Sequence, residues 1–160
     1  MWVRNLQLTV PATTGPVNIL RGVDLDLARG EAVGLVGPSG SGKTSLLMVL
    51  AGLERATGGH VWLAGQDLTR LDEDALSRLR RRTIGIVFQA FHLIPSMTAL
   101  ENVSVPMELA GRRDARARAE EALLLVGLSH RLLHLPGQLS GGEQQRVALA
   151  RAFAPEPRLL

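Results

Sequence analysis

Four positions between Gly37 and Thr44 carry the clearest chemistry in the chain. Gly37, Gly42, Lys43 and Thr44 in "GPSGSGKT" satisfy the spacing G-x-x-x-x-G-K-[ST]. In that pattern a glycine-rich loop turns backbone N–H groups toward phosphate oxygens and leads into a helix whose N-terminal dipole favours negative charge. Gly37, Pro38, Ser39, Gly40, Ser41, Gly42, Lys43, Thr44 and Ser45 are therefore the candidate phosphate-binding residues, and the Thr44 hydroxyl is a candidate magnesium ligand. Lys43 is the only lysine; the rest of the 18 basic residues are arginine. A compact ammonium on a flexible stem reaches between phosphates inside a tight loop, whereas a planar guanidinium is bulkier and prefers flat bidentate partners. Four such positions coincide by chance in roughly one chain of this length in a few hundred, so a plain glycine-rich turn is the minor alternative.

A second candidate is "LSGGEQQR", Leu139 to Arg146. Ser140 and Glu143 have the spacing of a capping box at a helix start. Gly141 and Gly142 directly after the cap leave the helix N-terminus bare, which weakens the helix but suits an approaching phosphate. His130 and His134 are four apart, yet no third ligand is near and Pro136 follows, which disfavours zinc. Arg78 to Arg82 reads as a solvated helix end, with contact to anionic lipid the minority reading.

The elements around these residues can be read coarsely. Residues 2–10 and 23–27 alternate as half-buried strands do, with Gly15, Pro16 and Gly22 between them, and suggest an antiparallel N-terminal sheet. "AVGLVG" (32–37) is a short apolar run that reads as a strand, followed by the glycine loop and the helical stretch "KTSLLMVLAGL". "HVWLAG" (60–65) reads as a strand closed by a turn, and 72–82 as a helix with acids first and arginines last, matching its dipole. "IGIVFQ" (84–89) reads as a second buried strand. Helices follow at about 98–110, opened by a Thr98/Glu101 capping box, at about 114–126 and at about 141–153; the terminal "RLL" resembles the start of a strand.

Composition sets outer bounds. At 160 residues, 46% apolar and 21% charged, the chain is one domain or part of one, able to bury roughly two thirds of its unfolded surface. The longest apolar run, Leu46 to Ala51, is far below the roughly 18 residues of a membrane span. The N-terminus lacks the long apolar region of a signal peptide, which points to the cytosol. Cysteine is absent, and the net charge of +3 gives no ground for nucleic-acid binding.

With both glycine motifs in place, the string "LSGGEQQR" matches the signature of ABC transporter ATPases, and the resemblance extends along the whole chain. "GPSGSGKT" matches the family's Walker A, Gln89 in "VFQ" stands where the Q-loop glutamine is expected, and "HLIPSMTALENVSVP" resembles the segment after it. "LLHLPGQLSGGEQQRVALARAF" resembles the lipoprotein-release and macrolide-export branch, in particular the YbbA-type ATPases. The resemblance implies an α/β P-loop NTPase fold, a RecA-like ABC core with an N-terminal antiparallel β subdomain and a helical subdomain, its sheet incomplete at the C-terminus. Residues 1–89 would be the β subdomain and Walker A core, 90–140 the helical subdomain, and 141–160 the signature helix and the start of the Walker B strand.

The resemblance also implies ATP with Mg2+ as ligands. Two ATPase subunits would sandwich two ATPs, with Ser140, Gly141 and Gly142 reaching the γ-phosphate of the partner's nucleotide. Gln89 would contact magnesium and the attacking water. A membrane permease of the lipoprotein-release or macrolide-export type would dock near Gln89, where Phe91, Leu93, Ile94 and Pro95 suit either docking or local core. The location implied is cytoplasmic, peripheral on the inner face of the cell membrane, with no nucleic-acid partner.

Two departures stand out. The family places an aromatic near the end of the first strand to stack on adenine; here that position is Val10, which implies aliphatic contact or weakened stacking. The family's Walker B Asp, catalytic Glu and switch-loop His are not among the 160 residues, and Glu143 belongs to the signature rather than to that role, so the attacking water has no assignable general base. The expectation is that Val33, Leu35 and residues 84–87 are left with unpaired edges and uncovered faces, and that these residues alone are unstable or aggregation-prone and hydrolyse little ATP. A truncated, non-catalytic nucleotide- or permease-binding fragment is the alternative. Ras-type GTPases need a second lysine to read guanine, and SMC-type ATPases need a long coiled coil between their motifs; neither is present.

Overall fold

The structure is a computed structural model that describes residues 1–13 and 15–160. Two compact units divide the chain, Met1–Ser77 and Arg78–Leu160.

The first unit is built on a four-stranded antiparallel sheet of order β2-β1-β3-β4, comprising β1 (Trp2–Val10), β2 (Val17–Asp26), β3 (Gly58–Leu63) and β4 (Gln66–Asp67). Val3, Leu6 and Leu8 of β1 are buried, yet Val3 and Leu6 are three apart, which strict alternation would place on opposite faces. A bulge resolves this. The β1–β2 register shifts between Val3 and Leu6, and Asn5 adopts φ 47° while its N–H donates to Asp24 Oδ1 at 2.7 Å. The extra residue returns Leu6 to the core face, where each buried Leu or Val contributes about 1.5–3 kcal/mol. β2 begins six residues earlier than its alternation suggests, and Gly22 lies inside it rather than before it. Helix α1 (Lys43–Leu50) follows the glycine loop and buries Leu46, Val49 and Leu50.

Helix α2 (Glu73–Thr83) runs across the junction between the units. In the second unit, α3 (Ala99–Leu109), α4 (Ala115–Leu125) and α5 (Gly141–Phe153) enclose a core of Leu100, Val103, Met107, Leu123, Leu128 and Val147. Ala119, Ala122 and Ala150 let the helices approach closely. Helix α3 starts where its capping box requires, with Thr98 Oγ1 accepting from Glu101 N at 3.2 Å and Thr98 N donating to Glu101 Oε2 at 2.7 Å.

Two expected strands do not form. Residues 32–37 are outside every strand and exposed throughout, with Val36 89% and Val33 53% exposed. Residues 84–89 make a single parallel bridge, Ile84 to Leu159, with Gly85 N donating to Leu159 O at 2.8 Å. An apolar run becomes a strand only when a neighbour takes its backbone hydrogen bonds, and among the described residues these runs have no such ladder. Of the faces anticipated as uncovered, Val33, Leu35 and Val87 are exposed, whereas Ile84 and Ile86 are half-buried and Gly85 is buried against Leu159.

Candidate functional site

The glycine loop of the first unit is shaped by two left-handed residues, Gly40 (φ 78°) and Gly42 (φ 86°). Gly42 is the N-cap of α1 and offers no side-chain cap, and the first turn of the helix carries no acid. The first intrahelical bond from the cap is Leu46 N to Gly42 O at 2.8 Å, so the N–H groups of Lys43, Thr44 and Ser45 point beyond the helix end. A Cβ at Gly42 would stand 3.2 Å from Ile19 Cγ2 and 3.3 Å from Ile19 O; strand β2 and the loop touch there, and a side chain would fit only if Ile19 gave way by a few tenths of an ångström. Lys43 Nζ donates to Gly37 O at 2.9 Å, Pro38 O at 2.6 Å and Ser41 Oγ at 3.4 Å. The ammonium is thereby held inside the curve of the loop, beside the free N–H groups.

A depression borders this loop, lined by Ser39–Ser45 and by Val17, Asn18, Ile19 and Arg21 of β2. Its only charged side chains are Lys43 and Arg21, so both fixed charges attract an anion. The β1–β2 register shifts between Leu8 and Thr9, leaving Ile19 without a partner, so a bulge rather than strict alternation brings Val17, Asn18, Ile19 and Arg21 to one wall. The sequence reading passed over them because it began this strand at residue 23, and a bulge has no local pattern to announce it. Val10 ends β1 opposite Val17, half-buried, with the aliphatic Val17 rather than Val10 on the rim of the depression.

In the second unit Gln89 is exposed in the turn after residues 84–88. Directly after it, Phe91 (φ 58°) and His92 (φ 48°) are both left-handed, a conformation costing of order 1 kcal/mol or more for a non-glycine residue. Arg151 of α5 holds them: its guanidinium donates to His92 O at 2.7 Å and Phe91 O at 2.6 Å, and burial lowers its pKa. Phe88 and His92 add an edge-on ring contact at 5.0 Å.

Ser140 caps the other end of α5. Ser140 Oγ accepts from Glu143 N at 3.3 Å, while Ser140 N and Oγ donate to Glu143 Oε2 at 2.8 and 2.9 Å. Those bonds, from the Ser140 backbone first, with Arg131 adding its charge, hold the Glu143 carboxyl down to about 2. Gly141 and Gly142 are helical and exposed. A Cβ at Gly141 would meet nothing, and one at Gly142 only Arg146 Nη1 at 3.8 Å. Nothing inside the protein calls for glycine at either place. Arg151 lies about 16 Å along α5 from Ser140 at 1.5 Å rise per residue, so Gln89 and the Ser140 cap belong to opposite ends of one helix. His134 Nε2 faces Arg131 Nη1 at 3.0 Å, which occupies the lone pair a metal would use.

A glycine loop that opens a helix with Lys43 at its centre and cationic walls defines a P-loop nucleotide-binding protein. The ABC transporter family matches residues 20–160, and the chain belongs to that family, as an ABC transporter ATP-binding subunit. It is 53% identical over 160 residues to the lipoprotein-releasing system ATP-binding protein LolD 2 of Caulobacter vibrioides, covering 99% of this chain and 70% of that one. Identity to the uncharacterized ABC transporter ATP-binding protein YbbA of Escherichia coli is 51%, with the same coverage. The solved dimeric bacterial ABC transporter cassette MJ0796 superposes with a TM-score of 0.91 at 41% identity, covering 98% of this chain and 70% of that one. Its post-hydrolysis state bound to ADP and Pi gives 0.90 at 40%.

Proposed function

We propose that the loop Gly37–Ser45 binds the phosphates of ATP, that the second contact to the γ-phosphate comes from Ser140, Gly141 and Gly142 of another copy, and that closure of this sandwich drives a membrane permease. The observation that carries the reading is the α1 N-terminus: three outward N–H groups, a left-handed glycine cap packed tightly on Ile19, and an ammonium inside the loop. The exposed glycines at 141 and 142 support the second half, since glycine costs about 0.5–1 kcal/mol in a helix without serving any contact of this chain.

Thr44 has its hydroxyl exposed at the second position of α1, and Gln89 is exposed after residues 84–88; both are the oxygen donors that magnesium takes. Bound magnesium supplies charge neutralisation to the β- and γ-phosphates. Gln89 orients the water. Glu143 is no base for that water, because a carboxylate held near 2 and turned to Ser140 and Arg131 has little affinity for a proton. Adenine rests on the aliphatic rim at Val17, which Val10 backs from the neighbouring strand.

Among the described residues no helix is long and apolar enough to cross a membrane. The proposed setting is the inner membrane face, held there by a permease of the lipoprotein-release or macrolide-export type that touches Ile94 and Pro95. Since the chain has no cysteine, an Ile94→Cys variant should crosslink to such a permease and to no other membrane protein.

Fluorescent-ATP titration tests the core of the reading. Lys43→Ala should weaken binding at least tenfold with unchanged circular dichroism, and Lys43→Arg should fail to restore it, because a guanidinium does not fit the loop. Equal affinity for Lys43→Arg and the unsubstituted chain would overturn it.

A further inference from the structure

The signature cap contains an electrostatic conflict. Glu143 is a fixed negative charge on the first turn of α5, beside Gly141 and Gly142, where the reading above brings in a polyphosphate. The carboxylate satisfies the helix end through Ser140, but uncompensated it would repel the nucleotide.

Arg131 meets that charge. Its Nε donates to Glu143 Oε1 at 3.0 Å, leaving Oε2 for Ser140. The pair is only partly exposed, 35% for the Arg131 side chain and 15% for Glu143, so water screens it incompletely. The guanidinium is also held at a second point, with Nη1 3.0 Å from His134 Nε2. Arginine has no acceptor, so His134 accepts with its proton on Nδ1. The backbone of the same turn is tied down by Arg131 N to Leu128 O at 2.9 Å and His134 N to Arg131 O at 3.0 Å. The positive charge is therefore placed by a short rigid turn at a set distance from the Ser140 cap.

We infer that Arg131, oriented by His134, is a positioning residue of the signature that cancels the Glu143 charge so that one helix terminus can be capped by a carboxylate and still receive a phosphate. The inference rests on the reading of Ser140–Gly142 as the second phosphate contact. A merely structural Arg131 would tie the Ser129–His134 turn to α5 and no more, and its loss would not be repaired by removing the charge it faces.

The test uses the full chain with magnesium and ATP, following self-association by sedimentation and nucleotide capture at the P-loop by fluorescent ATP. Arg131→Gln should weaken association at least tenfold, because one unshielded charge a few ångströms away changes an equilibrium by roughly fivefold even in bulk water and by far more at the lower effective dielectric near a protein surface, while P-loop affinity stays within twofold. Adding Glu143→Gln to Arg131→Gln should restore association to within about threefold of the unsubstituted chain. Should Arg131→Gln fail to fold by circular dichroism, Arg131→Met, of similar length and without charge, carries the same comparison. Association unaffected by Arg131→Gln, or not restored by the second substitution, overturns the inference while Gly142→Val still abolishes association. Failure of the unsubstituted chain to associate with ATP, or association that survives Gly142→Val, overturns the second-contact reading and this inference with it.

Discussion

At the scale of single residues, the site separates groups that shape the chain from groups kept for a ligand. Gly42 is favoured by the chain itself, since its left-handed backbone and the tight contact with Ile19 both strain a side chain there. Gly141 is not. Gly141→Ala should therefore raise the stability of the chain by about 0.5–1 kcal/mol, read as a higher melting temperature, while weakening ATP-driven association. Glu143 yields a pH prediction with a definite sign. Its folded-state value of about 2 lies below the ordinary 4.5, so its stabilising contribution is complete above 4.5 and is lost as pH falls toward 2. Ser140→Ala removes the hydroxyl's share of that depression and leaves the larger share, from the backbone N–H of residue 140, in place. Urea midpoints measured between pH 5 and 2 should fall less steeply in Ser140→Ala than in the unsubstituted chain.

At the scale of elements, helix ends were the legible features. Thr98 with Glu101 and Ser140 with Glu143 marked the starts of α3 and α5, and both boxes close as the spacing demands. Local side-chain-to-backbone bonds decide such ends, so a few consecutive residues suffice to read them. Thr98→Ala should lower stability by about 1 kcal/mol, seen in the helical circular dichroism. The turn after Gln89 was not legible, because its two left-handed residues are held by Arg151, about sixty positions later in the chain. Arg151→Ala should release it, and limited proteolysis should then cut between residues 90 and 95 several times faster. Gly85 shows the same dependence on distant residues: a Cβ there would lie 2.4 Å from Ala152 O, a close approach that no local pattern announces.

At the scale of the molecule, the described residues leave apolar backbone without a sheet partner. Val33, Leu35 and Val36 are 53%, 42% and 89% exposed on a run that lies outside every strand. The two tryptophans of the chain, Trp2 and Trp62, stack at 5.1 Å in the first unit, whereas α3, α4 and α5 lie in the second. Tryptophan fluorescence thus follows the first unit and helical circular dichroism mainly the second, and Thr98→Ala should move the second signal more than the first.

The sequence by itself determined the phosphate loop, both capping boxes, the helices and the family, because each depends on residue types at short fixed spacings. Tertiary structure decided which apolar runs are strands, since a strand exists only through its neighbour. It decided the β1 bulge, where Asn5 shifts the alternation by one residue, and the β2 wall of Val17, Ile19 and Arg21 beside Lys43. It also brought Arg131 and His134 to Glu143, so that the charge on the signature cap is balanced from a turn outside the motif.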